Sequence, residues 1–238
     1  MIRRGLTFLL LLTAIFFVGK LLFSNEQIKQ LKDEQPPRWV DQQYITAGYP
    51  SRPGRELQAV NDIVIHYVGN ASSTAQQNRD YFDTPTTKVS AHFIIGLQGE
   101  IIQALPLHEM SVATNWRNRD TISIEVTHPD ASGQFTEASY DALVRLTAWL
   151  LHVTDLPANN VIRHYDVTGK HCPGSMVDNP ALWTAFRAKL TQTEQEEEDD
   201  MRYKYYDDMP DWAQPTVKKL MDKGYLKGEG DGVLNLSE

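Results

Sequence analysis

The sequence predicts an α/β fold: a central mixed β-sheet flanked by helices, with an N-terminal membrane helix and a short helical C-terminal appendage. Three observations lead there. Short β-branched runs such as Asp62–Tyr67 and Thr121–Val126 alternate with segments of helical spacing. The alternation lacks strict βαβ regularity, which favours a mixed sheet over a purely parallel one. On either side of residues 41–191 the composition changes, to apolar before and acidic after.

At the amino terminus, Arg3 and Arg4 precede an apolar run from Gly5 to Phe23 broken only by Lys20. A charged flank followed by an apolar core has the form of a signal sequence. Its length approaches the roughly 20 residues that cross a bilayer. No small-x-small cleavage site precedes Lys20, so residues 1–23 read as a signal anchor in preference to a removed signal peptide. The two arginines would stay in the cytoplasm and place the rest outside. Residues 24–40 are polar, contain Pro36-Pro37, and read as a tether.

Within 41–191, Asp62–Tyr67 reads as a buried strand. Ser73 is placed to cap a helix running to about Phe82. His92–Ile95 and Glu100–Gln103 flank Gly96-Leu97-Gln98-Gly99, the pattern of a hairpin. Thr121–Val126 is a further strand. Tyr140–Val153 carries Leu143, Leu146, Leu150 and Val153 at helical spacing. Val161–Arg163 is a short strand delivering His164, and Asn179-Pro180 opens a last helix. Residues 192–200 are an acidic run that reads as a solvated linker. Residues 201–238 form a short segment of their own.

The chain carries 23 Lys/Arg against 31 Asp/Glu, for a net charge of −8. Such a balance argues against a nucleic-acid partner, which calls for a basic surface. A single cysteine, Cys172, forbids an intrachain disulfide and leaves an odd thiol in a chain that reads as exported.

That thiol belongs to the densest chemical segment of the chain, Arg163-His164-Tyr165-Asp166-Val167-Thr168-Gly169-Lys170-His171-Cys172-Pro173. Imidazole and thiolate are zinc ligands. A lysine two residues from the thiol can favour the thiolate or steady a developing negative charge. His66, at the end of the 62–67 strand, is the candidate third ligand. Three ligands leave a coordination position open, which is the catalytic form of a zinc site. Spacing alone leaves two readings for a strand-end histidine: a metal ligand, or a hydrogen-bonded residue. His92 reads as structural, and His171 should point away from its neighbour Cys172. Asn115-Trp116-Arg117-Asn118-Arg119 reads either as part of a binding groove or as loop packing.

The segments Ile63–Tyr67, Ser90–Gly96, Gly99–Gln103, Ile122–Val126 and His164–Pro173 resemble, in order, the zinc-dependent N-acetylmuramoyl-L-alanine amidases of the type 2 group. That family is related to phage T7 lysozyme and to animal peptidoglycan recognition proteins. The resemblance implies Zn²⁺ held by His66, His164 and Cys172, with Glu125 and Lys170 as the catalytic residues. The tyrosine that the phage lysozyme carries falls on Ala91, which favours Glu125 as the proton-handling group. On the residues alone, Glu125 could equally pair with Arg117 or Arg119. A histidine common in relatives is missing from Ser111–Thr114.

The implied substrate is peptidoglycan, cut between N-acetylmuramic acid and L-alanine. A non-catalytic peptidoglycan-binding module is the rival reading, and a cytoplasmic recycling amidase a third. Presence of the thiolate ligand speaks against the first rival, and the apolar amino terminus against the second. Residues 201–238 resemble a single S-layer-homology-like repeat, which implies cell-wall polymers as a partner. The implied location is extracytoplasmic, at the membrane or the wall.

Overall fold

The structure, a computed structural model, describes residues 24–200, 202–205, 214–224 and 233–237. Residues 1–23, expected to be a membrane anchor, lie outside the described residues. Among those described, no helix is long and apolar enough to cross a membrane. The chain divides into two compact units that meet at Ala188 and Lys189.

The first unit is built on six strands: β1 (Val40–Gln42), β2 (Asp62–Tyr67), β3 (Phe93–Ile95), β4 (Ile101–Gln103), β5 (Thr121–Val126) and β6 (Val161–Arg163). They lie in the order β1-β4-β3-β5-β2-β6. Only β3 and β4 pair antiparallel; the other neighbours are parallel, so the sheet is mixed as predicted. The β3–β4 turn uses Gly99 at φ +80°, and a Cβ there would meet the Ala138 carbonyl oxygen at 2.8 Å. Glycine is needed both for the backbone angle and for the close approach.

Strand alternation gives the sheet two faces. On one, Phe93, Ile122, Ile124 and Val126 pack toward α3 (Glu137–Thr154), and the Phe93 and Trp149 rings meet edge to face at 6.1 Å. Thr136 caps α3 by accepting from the Ser139 amide. On the other, Ile94 and Ile102 join Ala75 and Phe82 of α2 (Ala75–Phe82) in a buried cluster. Cap position shifts by one residue from the expectation. Thr74 accepts from the Gln77 amide while the Gln77 side chain accepts from the Thr74 amide, a reciprocal capping box. Ser73 instead donates to the Asn70 carbonyl.

Residues 24–40 are not a free tether. Residues 24–33 form a helix, α1, docked on the domain. Gln27 is buried; its Nε2 donates to the Thr154 carbonyl at 2.8 Å and its Oε1 accepts from the Val60 amide at 3.0 Å. Ile28 and Leu31 are buried on the same face. With Gln27 and with Ser24, also buried, they fall at i, i+3, i+4 and i+7, which makes the docking stripe. Full burial of each apolar side chain contributes roughly 1.5–3 kcal/mol. The segment reads as polar overall because the other faces carry its charges.

Short helices α4 (His164–Thr168) and α5 (Gly174–Asp178) follow β6, and α6 (Pro180–Asp200) starts at the expected proline. The acidic run 192–200, expected as a linker, continues α6. Glutamates and glutamine are good helix formers, and the run contains no Gly or Pro.

The second unit contains α7 (Gln214–Asp222) and an antiparallel pair, β7 (Arg202–Tyr205) with β8 (Val233–Ser237). The appendage expected to be helical is therefore part sheet. Alternating Tyr203 and Tyr205 in one strand and β-branched Val233 in the other suit a pleated pair.

Gln27→Ala removes both side-chain hydrogen bonds and leaves the buried Val60 amide without its partner. It should lower stability by about 1–3 kcal/mol, read as a drop in the urea midpoint. An unchanged midpoint would mean that α1 does not hold to the domain.

Candidate active site

Parallel registration brings the candidate residues to one level. His66 pairs with Glu125 across β2 and β5, and Ile65 pairs with Arg163 across β2 and β6. His164, the next residue after β6, therefore begins α4 beside His66. Gly169, at φ +75°, ends α4 and turns the chain back. The Tyr165 amide then donates to the Cys172 carbonyl at 2.9 Å, closing a loop that returns the thiol to the two imidazoles.

His66, His164 and Cys172 are all buried, and their candidate ligand atoms lie within 4.8 Å of one another. His66 Nδ1 and His164 Nδ1 are 3.0 Å apart, and Cys172 Sγ is 4.0 Å from His66 Nδ1. Two imidazole nitrogens on a tetrahedral zinc stand about 3.3 Å apart. The Tyr67 amide donates to Cys172 Sγ at 3.5 Å, the kind of outer contact that orients a ligating thiolate. Two nitrogen lone pairs and a sulfur converging on one point fit a zinc ion.

Electrostatics point the same way. Burial, with help from His164 and Lys170, pushes the His66 imidazole well below its usual range. Burial and Lys170 likewise lower His164. Neutral imidazoles are the form that ligates. Burial, with the Glu125 charge, pushes the Cys172 thiol up to about 12. A cation at the cluster reverses that penalty, because a coordinated thiol loses its proton.

Glu125 sits beside His66, with its Oε2 buried and without a hydrogen-bond partner among the described residues. Burial raises its carboxyl to about 7, against an opposing effect of Lys170. Arg117, one of the two alternative partners, is taken elsewhere. Arg117 donates to Asp120 at 2.8 and 3.0 Å and is also bound to Asp62. Lys170 is exposed and lines the same cleft as Glu125, His66 and His164.

The cleft, about 440 Å³, is walled by α2 and by the loop before β5. Sequence reasoning missed its α2 side, where Gln77, Asn78 and Tyr81 face the cavity. Gln77 and Tyr81 share a helix face by their i, i+4 spacing, the one signal that could have singled them out. Val112 and Ala113 make an apolar stretch of wall. A second arm leads past Asn115 and Asn118, while Trp116 stands 61% exposed.

The other histidines lie outside the cluster. His92 is fully buried: its Nδ1 accepts from the Ser123 amide, so Nε2–H donates to the Glu109 carbonyl. His171 turns away to Asp178 at 2.7 Å. Ala91 is buried in the α2 cluster.

Residues 56–175 match the family model described as N-acetylmuramoyl-L-alanine amidase, half of the chain. The chain belongs to the N-acetylmuramoyl-L-alanine amidase family. CwlL, an N-acetylmuramoyl-L-alanine amidase of Bacillus licheniformis, is 27% identical over 168 residues, covering 63% of this chain and 46% of CwlL. BlyA of Bacillus subtilis strain 168 is 27% identical over 167 residues, covering 62% and 45%. The chain thus spans just under half the length of these curated relatives. Among solved structures, a mutant endolysin from Bacillus subtilis superposes with a TM-score of 0.56 at 28% identity, covering 63% of this chain and 97% of that one. The catalytic domain of XlyA gives 0.56 at 26% identity, covering 63% and 98%. The shared region holds all five of His66, Glu125, His164, Lys170 and Cys172.

Glu125 ionises near 7 in the fold against 4.5 for a free side chain. The folded state therefore holds this proton more tightly, and the stability it contributes below pH 4.5 is lost as pH rises toward 7. In metal-stripped protein, the stability of Glu125→Gln relative to the parent should grow over that window, measured by urea unfolding. A difference independent of pH would show that the carboxyl is not desolvated.

Proposed function

We propose that this chain is a zinc-dependent peptidoglycan amidase that hydrolyses the bond between the lactyl group of N-acetylmuramic acid and the L-alanine nitrogen. The observation that carries the reading is the convergence of two neutral imidazoles and one thiol beside a buried carboxyl. A family resemblance alone would not require those four groups to meet.

His66, His164 and Cys172 would hold the zinc ion, which supplies Lewis acidity toward the scissile carbonyl and the attacking water. Glu125 takes a proton from the water and returns it to the departing amine nitrogen. Its raised pKa suits both halves of that task near neutral pH. The Lys170 ammonium, at the mouth of the cleft, stabilises the negative charge that grows on the carbonyl oxygen. Gln77 and Asn78 offer amide groups to the stem peptide, and Val89, Val112 and Ala113 keep that wall free of competing water.

Residues 1–23 act as a signal anchor in this reading, with the amidase domain on the outer side of the membrane. Residues 201–238 are proposed to contact cell-wall polymers. Because the thiolate ligand is retained, the non-catalytic alternative is the weaker one.

The test uses the full-length chain in detergent, with release of stem peptides from purified walls as the assay. Glu125→Gln should lower kcat by ~10²–10⁴-fold while zinc stoichiometry is unchanged. Cys172→Ser should lose the metal and the activity together. Turnover that survives complete chelation would sink the proposal. Lys170→Ala should lower kcat by ~10²–10³-fold with metal retained; a change confined to KM would make Lys170 a binding residue only.

A further inference from the structure

The docked α1 helix changes what membrane attachment would mean for this enzyme. The apolar run ends at Phe23, and the backbone is already helical at residue 24. From there the chain is bound to the domain at successive points. Gln27 bridges Thr154, at the end of α3, and Val60, just before β2. Ile28 and Leu31 are buried. Lys32 pairs with Glu56 at 2.6 Å. After Pro36-Pro37 the chain enters the sheet as β1, with Val40, Asp41 and Gln42 registered against Ile101, Ile102 and Gln103. Only the short run 34–38 separates α1 from Trp39, whose ring packs against Trp149 at 6.4 Å, and from β1.

The α1 and β1 residues precede the family match, which begins at residue 56, while the partners that hold them lie within it. They also lie away from the chemistry. Thr154 and Val60 mark the end of the sheet where β2 begins, whereas His66 lies near the end where β2 finishes. A solvated linker over residues 24–39 would reach about 55 Å when extended. Docked, the same residues add almost nothing to the reach, which is then set by the domain itself, about 40 Å across for this chain length.

We propose that residues 24–39 form a rigid collar, so that attachment through residues 1–23 confines the catalytic groove to peptidoglycan within about one domain diameter of the bilayer. This rests on the signal-anchor reading of residues 1–23. The collar makes the enzyme a cutter of the membrane-proximal wall layer and excludes it from distant strands.

The experiment uses full-length protein in liposomes carrying an acceptor dye. The donor is placed at Ala131→Cys, on the exposed loop after β5. Energy transfer is compared with the same protein carrying Gln27→Ala, Ile28→Asp and Leu31→Asp. Undocking should lower the transfer efficiency by about twofold as the linker extends, while cleavage of soluble muropeptides is retained. Equal efficiency in the two proteins, with both sedimenting with the vesicles, would overturn the collar and leave the anchor standing. Failure of the parent chain to sediment with vesicles would overturn the anchor, and the confinement with it. Hydrogen exchange at residues 25–33 in the full chain then reports on the docking alone: slow exchange means α1 is bound, and exchange at the rate of a free helix means it is not.

Discussion

Everything in the site depends on strand registration. β2 lies between β5 and β6, parallel to both, and the ladder fixes which residues stand side by side. A one-residue slip of β2 would turn His66 to the α3 face and bring an isoleucine or Tyr67 to the site. The register is held because Ile63 and Ile65 are fully buried on that opposite face and cannot exchange places with polar groups. Catalytic geometry is thus secured by apolar packing on the far side of the sheet, with no need for a long network of polar contacts.

The cluster so assembled is poorly suited to being empty. Two imidazoles are denied their protons by burial, and a thiol is denied its ionised form by the same cause. Glu125 has a buried oxygen without a partner among the described residues. Such groups weaken a fold unless something compensates them. A divalent cation does so for all of them: it takes the nitrogen lone pairs, favours the thiolate, and gives the carboxyl a positive neighbour.

Around this centre the fold separates its tasks. Helix α2 and the loop before β5 wall the cleft, α3 backs the sheet, and α1 fastens the amino-terminal segment to the end of the sheet away from His66. The walls differ in character, with amides from α2 on one side and small apolar residues on the other. Arg117, which might have competed for Glu125, is committed to Asp62 and Asp120 and serves the loop instead.

The sequence by itself determined β2 to β6, the long helix and the residue types that meet in the cluster, because side-chain periodicity and Gly/Pro punctuation are local properties. It also located Cys172 and His164 within a single short segment, 163–173. It could not establish that His66, 98 residues earlier, faces them, since that follows from which strands become neighbours. Nor could it tell a docked helix from a tether in residues 24–33, because only Gln27, Ile28 and Leu31 reveal the docking stripe and their partners, Val60 and Thr154, lie far along the chain. The helical backbone of the acidic run after residue 192 follows from helix propensity, a property that its charge does not report. Local chemistry is written in the order of residues; convergence is decided by the sheet, through hydrogen-bond registers that no short window of sequence contains.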